Sequence, residues 1–277
     1  ASWSTLIIGY AEQGKGRQVL SCFARMQNQG LSPDAVTFIS ILKACGSTRS
    51  IEKGRQIHDD VVSRGLLGND VVLGTALVNM YAKCGDLAKA QQVLEELQIR
   101  DVVAWNALIS GYAQQGQGRA ALGCFEQMRS EGHTPDVVTF ISVLQACGST
   151  KSIKYGGQIH DEIVSEGMLE KDPVLGNALL DMYAKCGSLV EAQDVFRTIP
   201  NRDVVIWTAL ISGYVMQGKN HSALKCLERM QSEGFSPDLV TYIYAFKACG
   251  IVGSIDKGKQ IHDKVVCRGL IQKDNVL

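Results

Sequence analysis

The chain has 277 residues, of which 45% are hydrophobic, so it can bury a large apolar surface. Its 28 Lys and Arg balance 28 Asp and Glu, and a zero net charge argues against strong, sequence-blind nucleic-acid binding, which needs excess positive charge to release counterions. No apolar run approaches the ~18 residues of a membrane-spanning helix.

In chain order, the same phrases return. Val102–Asp136 reads VVAWNALISGYAQQGQGRAALGCFEQMRSEGHTPD, with close relatives ending at Asp34 and Asp238, each displaced by 102 residues. Such regularity makes the repeated unit, rather than a single core, the organising principle. Each 102-residue interval divides into units of 35, 36 and 31 residues. The 35-residue class is 1–34 (one residue short), 102–136 and 204–238. The 36-residue class is 35–70, 137–172 and 239–274, marked by GSTRSIEKGRQIH at 46–58, GSTKSIKYGGQIH at 148–160 and GIVGSIDKGKQIH at 250–262. The 31-residue class is 71–101 and 173–203, sharing MYAKCG, with a third copy begun at 275–277. Ala1 falls at the second position of a unit, so the chain reads as the interior of a longer protein whose caps and any targeting peptide lie elsewhere.

Each unit reads as a helical hairpin. In Val102–Asp136 the first helix presents Val103, Leu108, Ile109 and Tyr112, and the second Ala121, Phe125 and Met128, spaced i, i+4, i+7 on one face. Gly116 separates the helices, with counterparts at Gly14 and Gly218. Gly132, Gly30 and Gly234 sit where a left-handed C-cap is wanted, and Pro135 then forbids continuation. A lone hairpin cannot cover its apolar face, so eight hairpins must stack into an all-α solenoid.

Eight of the nine cysteines recur with the repeat and only Cys267 stands alone. They read as small buried hydrophobes. With no Cys-x-x-Cys, neither a zinc site nor a secreted disulfide framework is expected. His160-Asp161-Glu162 matches the His-x-Glu element of zinc deaminases, but the Pro-Cys-x-x-Cys partner is missing. Its equivalents begin at His58 and His262 and lack the glutamate, so this histidine reads as architecture. No catalytic constellation stands out, and no cofactor is implied.

The phrases WNALISGYAQQG, GKQIH and MYAKCGSL, with the 35-36-31 length order, resemble the PLS class of plant pentatricopeptide repeat (PPR) proteins over the whole chain. The tetratricopeptide repeat, a 34-residue protein-binding hairpin, lacks the alternation. The resemblance implies a right-handed superhelical solenoid in which each repeat reads one base of single-stranded RNA through its fifth and last residues. Carried over, the reading pairs are Ser4 with Asp34, Thr75 with Asp101, Asn106 with Asp136, Asn177 with Asp203, and Thr208 with Asp238. In the family's code Thr or Ser with Asp favours guanine, and Asn with Asp favours uracil. The 36-residue units carry Ile39, Ile141 and Ile243 at the fifth position, without a polar edge for reading. The implied target is 5′-GnGUnUGn-3′.

The second residue of each unit, Val36, Val72, Val103, Val138, Val174, Val205 or Val240, would sandwich the base. The alternative is that these valines simply begin a buried helix face. Aspartates 34, 70, 101, 136, 172, 203, 238 and 274 end every unit and also suit helix N-caps. A family lysine that approaches phosphate at the thirteenth position is present as Lys83 and Lys185, but is Glu12, Gln114 or Met216 in the 35-residue units and Ser47, Ser149 or Ile251 in the 36-residue units. Fewer phosphate contacts imply weak binding by this chain alone. The resemblance therefore implies an organellar editing factor docked on the 36-residue units. It also implies a place in a mitochondrion or chloroplast, with a role in C-to-U RNA editing whose deaminase lies C-terminal or acts in trans. A protein-interaction scaffold without RNA readout is the alternative.

Overall fold

The computed structural model describes residues 2–68, 70–199 and 202–270; Ala1, Asp274 and the unit begun at 275 lie outside them. Among the described residues the secondary structure is helical throughout, with no strand. The chain divides into two compact units, Ala1–Val143 and Leu144–Leu277.

In the first unit the hairpins are Trp3–Glu12 with Gly16–Asn28, Ala35–Thr48 with Ile51–Ser63, Val71–Cys84 with Leu87–Glu96, and Val102–Gln114 with Gly118–Ser130. In the second, Pro173–Cys186 pairs with Leu189–Thr198, Val204–Met216 with Asn220–Ser232, and Leu239–Val252 with Ile255–Cys267. Short helical turns at Leu66–Gly68 and Met168–Lys171 lengthen the 36-residue segments, a feature the periodicity did not reveal.

Local chemistry sets these limits. The aspartates at 34, 70, 101, 136, 172, 203 and 238 each accept a backbone N–H two or three residues ahead, at 2.7–3.0 Å. Each cap satisfies an N–H that would otherwise have no intrahelical partner, an effect worth about 1 kcal/mol. At the other end Gly132 has φ +83°, a left-handed conformation that glycine adopts without a Cβ clash.

Within each hairpin the second helix buries one stripe against the first. Trp105, Leu108, Ile109, Tyr112, Ala121, Phe125 and Met128 are all buried. Val103 departs from the expected apolar face: it is 56% exposed, because no neighbouring helix covers the N-terminal turn on that side. The cysteines at 45, 124, 147, 226 and 249 are buried, while Cys22, Cys84 and Cys186 are half-buried and Cys267 is exposed. Burial pushes the Cys45, Cys147 and Cys226 thiols up to about 12, which keeps them protonated.

His58 Nδ1 and Tyr81 Oη are 2.9 Å apart in an edge-on pair, and His160 with Tyr183 repeats it at 3.0 Å. The recurring histidines thus join a 36-residue hairpin to the 31-residue one after it.

Candidate functional site

The first helices carry the second and fifth residues of each repeat near their N-termini, and the aspartate that ends the repeat caps the first helix of the next. All seven valines at the second position are 50–59% exposed. That rules out the buried-face alternative for them: each leaves an apolar side chain uncovered.

The arrangement is complete around Asn106. One concavity is lined by Val103 and Val138 together with Asn106, Asp136 and Lys83. Asn106 Nδ2 donates to both oxygens of Asp136, at 2.9 and 3.0 Å. The reverse amide orientation would set a carbonyl against the carboxylate, so the charge fixes which way the amide faces. Asn106 is only 7% exposed and lines the concavity.

The other pairs differ in how they are joined. The Thr75 hydroxyl donates directly to Asp101 Oδ1 at 3.0 Å. Thr208 does not reach Asp238; its hydroxyl lies 2.6 Å from that of Thr241, which donates to Asp238 Oδ1 at 2.7 Å. Thr208 also approaches the Val204 carbonyl at 2.7 Å. In either donor arrangement its single proton is spent inside the protein, which leaves the oxygen to any further partner only as an acceptor. The same holds for Thr75. Asn177 and Asp203 are not brought together by a direct hydrogen bond, and Asn177 Oδ1 is buried without a partner. Ser4 is half-buried and Asp34 exposed, and Asp34 caps its helix through the Thr37 N–H at 2.9 Å.

The two candidate phosphate lysines are not equivalent. Lys83 is exposed at the rim of the concavity beside Asn106. Lys185 is engaged by Asp181 at 2.7 Å. Ile39 and Val72, with Lys83, line a second notch one hairpin earlier, and Ile243 is 55% exposed. These isoleucines offer surface but no hydrogen bond.

Sequence reasoning missed the threonines at the third position of the 36-residue units, Thr37, Thr139 and Thr241, all fully buried. The Thr139 hydroxyl donates to Asn106 Oδ1 at 2.6 Å and lies 2.9 Å from Asp136 Oδ1. Their recurrence every 102 residues was the available signal.

The model of the PPR repeat family matches residues 1–47, 100–149 and 202–250, and a PPR repeat model matches 75–102 and 177–204. A chloroplastic pentatricopeptide repeat-containing protein of Arabidopsis thaliana is 36% identical over 261 residues, covering 94% of this chain and 42% of its own length. A mitochondrial one from the same plant is 37% identical over 259 residues, covering 93% and 37%. The chain thus spans about two fifths of the length of these curated relatives. The crystal structure of the pentatricopeptide repeat protein PPR10 in complex with an 18-nt psaJ RNA element superposes with a TM-score of 0.81 at 23% identity, covering 97% of this chain and 40% of that one. That likeness establishes an all-α repeat solenoid fold. The matched repeats, together with relatives above 35% identity along nearly the whole chain, establish that it belongs to the pentatricopeptide repeat family.

Proposed function

We propose that this chain is a sequence-specific single-stranded RNA-binding array of the PLS class, with units bounded as the 35-, 36- and 31-residue periods set them. Each 35- or 31-residue unit takes one base. The observation that carries this reading is the concavity at Asn106. Two exposed valines, a polar pair and a lysine line it together, which puts apolar surface, a hydrogen-bonding edge and a cation around one cavity. Splayed bases need apolar faces to pack on and polar groups at their Watson–Crick edge, and the site offers both.

The hydroxyl directions support guanine at the threonine units. Thr75 and Thr208 spend their single protons within the protein and keep only acceptor capacity, and guanine presents N1–H and N2–H donors, whereas adenine presents an acceptor at N1. The asparagine units carry both a donor and an acceptor, as uracil requires. The PPR10 complex, in which a related fold holds RNA, supports the same ligand class. In chain order the target is 5′-GnGUnUGn-3′. The array acts as the specificity element for C-to-U editing of chloroplast or mitochondrial RNA, consistent with the organelles of its relatives. In this reading it contributes no catalytic group, and an editing factor docks on the 36-residue units.

Labelled GAGUAUGA RNA, titrated with the chain in the presence of its partner factor, tests this. Tight binding of that oligomer and weak binding of a scrambled one is expected. Equal or absent binding of both would overturn RNA readout in favour of a protein-interaction scaffold.

A further inference from the structure

Two asparagines occupy the same fifth position, yet their amides are held differently. Asn106 is fixed at both ends: Nδ2 on the Asp136 carboxylate, and Oδ1 receiving the Thr139 hydroxyl at 2.6 Å. Thr139 is fully buried, and its hydroxyl also accepts the Asp136 N–H at 3.1 Å. Asn177 has neither anchor; its Oδ1 is buried and unpartnered. The residue at the place of Thr139 is there Ile206, also fully buried and with no hydroxyl to offer. A buried carbonyl left without a donor is costly and uncommon.

We infer that the third residue of the following repeat is a specificity-positioning residue, so that Thr139 locks the Asn106 amide and makes the fourth base read more stringently than the sixth. The inference rests on the RNA-reading proposal above. An amide held at one end pivots about that bond, and a free one can turn over. Uracil offers N3–H as donor and a carbonyl as acceptor. Cytosine offers the reverse, N3 as acceptor and an amino group as donor. An asparagine free to turn over meets either base, whereas one locked at both ends meets only one. Thr241 has the corresponding place beside Thr208, linking it to Asp238 through two hydroxyls. At Thr75 the fifth residue reaches its aspartate directly and the third residue is Ala104, so no link is needed there. In the first unit Thr37 Oγ1 is buried with no partner, so the link is not made to Ser4.

The test measures binding of the 277-residue chain to GAGUAUGA and to single U-to-C changes at the fourth and sixth bases. The unaltered chain is expected to prefer U over C about tenfold or more at base four and only about twofold at base six. Thr139→Val leaves the Nδ2 anchor on Asp136 in place, so it lowers the ratio at base four part of the way towards that of base six and leaves base six unchanged, while Thr139→Ser retains the ratio. Ile206→Thr raises the ratio at base six. A purely structural role would weaken all oligomers equally and leave the ratios intact. Equal U-over-C ratios at the two bases in the unaltered chain would overturn the inference while the RNA reading stood, and the comparison needs no variant to fold. Absence of any U preference at either base would instead overturn the RNA reading itself.

Discussion

Lys185 donates to the Asp181 carboxylate at 2.7 Å, one helical turn before it, whereas Lys83, at the same place in its own repeat, has Asn79 there. Both ions of the Lys185 pair are about 40% exposed, so the contact is worth little to stability. It matters by lowering the positive potential where a phosphate would sit. Lys83→Ala is therefore expected to weaken binding to every RNA sequence alike and to flatten the salt dependence by about 0.7 of a logarithmic unit per decade, the release from one single-strand phosphate contact. Lys185→Ala should change both quantities less, and Asp181→Asn should tighten binding. Titrations at three salt concentrations decide this, and equal losses for the two lysines would refute it.

Asn106→Thr is expected to move preference at the fourth base from U towards G. The threonine hydroxyl is short of the two-oxygen grip that the amide has on Asp136, but Thr139 stands ready to link it, as Thr241 links Thr208. A good base-edge contact discriminates by about 1–3 kcal/mol, so a reversal of the U:G ratio is readable in a competition assay. An unchanged ratio would show that the fifth residue does not select.

Much of this was legible in the sequence. The Asp caps, the glycine ends and the Ala121–Phe125–Met128 stripe follow from local rules, because each is settled within a few residues. Val103 was not: periodicity places it on an apolar face, but whether a neighbouring hairpin covers it depends on how the hairpins stack. The link from Thr139 to Asn106 spans 33 residues and has no local signature beyond its 102-residue recurrence. Asp181 is different. Its spacing to Lys185 is a standard helical ion pair, and it could have been read from the chain.

The His–Tyr pairs give a pH dependence whose sign is fixed. Burial holds the His58 and His160 imidazoles below the ordinary value of 6.5; beside His58, Lys89 lowers it further while Asp59 and Glu96 oppose. The unfolded chain then binds more protons than the folded one below pH 6.5, so stability is full above that value and declines as pH falls through it towards the folded-state values. Denaturant midpoints at pH 7.5 and 5.5 should differ in that direction. His58→Gln should reduce the difference. A midpoint that rises on acidification would contradict the burial of neutral imidazoles.

Two helical glycines should respond to alanine with opposite signs. A Cβ on Gly213 would stand 2.7 Å from the Ala184 Cβ and 3.6 Å from its Cα. Ala184 has no longer side chain to swing aside, so the helices Pro173–Cys186 and Val204–Met216 must part. Overpacking of this kind costs about 1–3 kcal/mol. Gly123, on the exposed side of Gly118–Ser130, has nothing within 4 Å of an added Cβ. Alanine there gains about 0.5–1 kcal/mol by restricting the unfolded chain and favouring the helix. Urea midpoints of the two variants should therefore move in opposite directions from the unaltered chain. A neutral Gly213→Ala would mean that these two helices are not in contact at the closeness that only a glycine permits. If instead Gly123→Ala were destabilising, that face would be occupied in solution by a surface that the helix alone does not display.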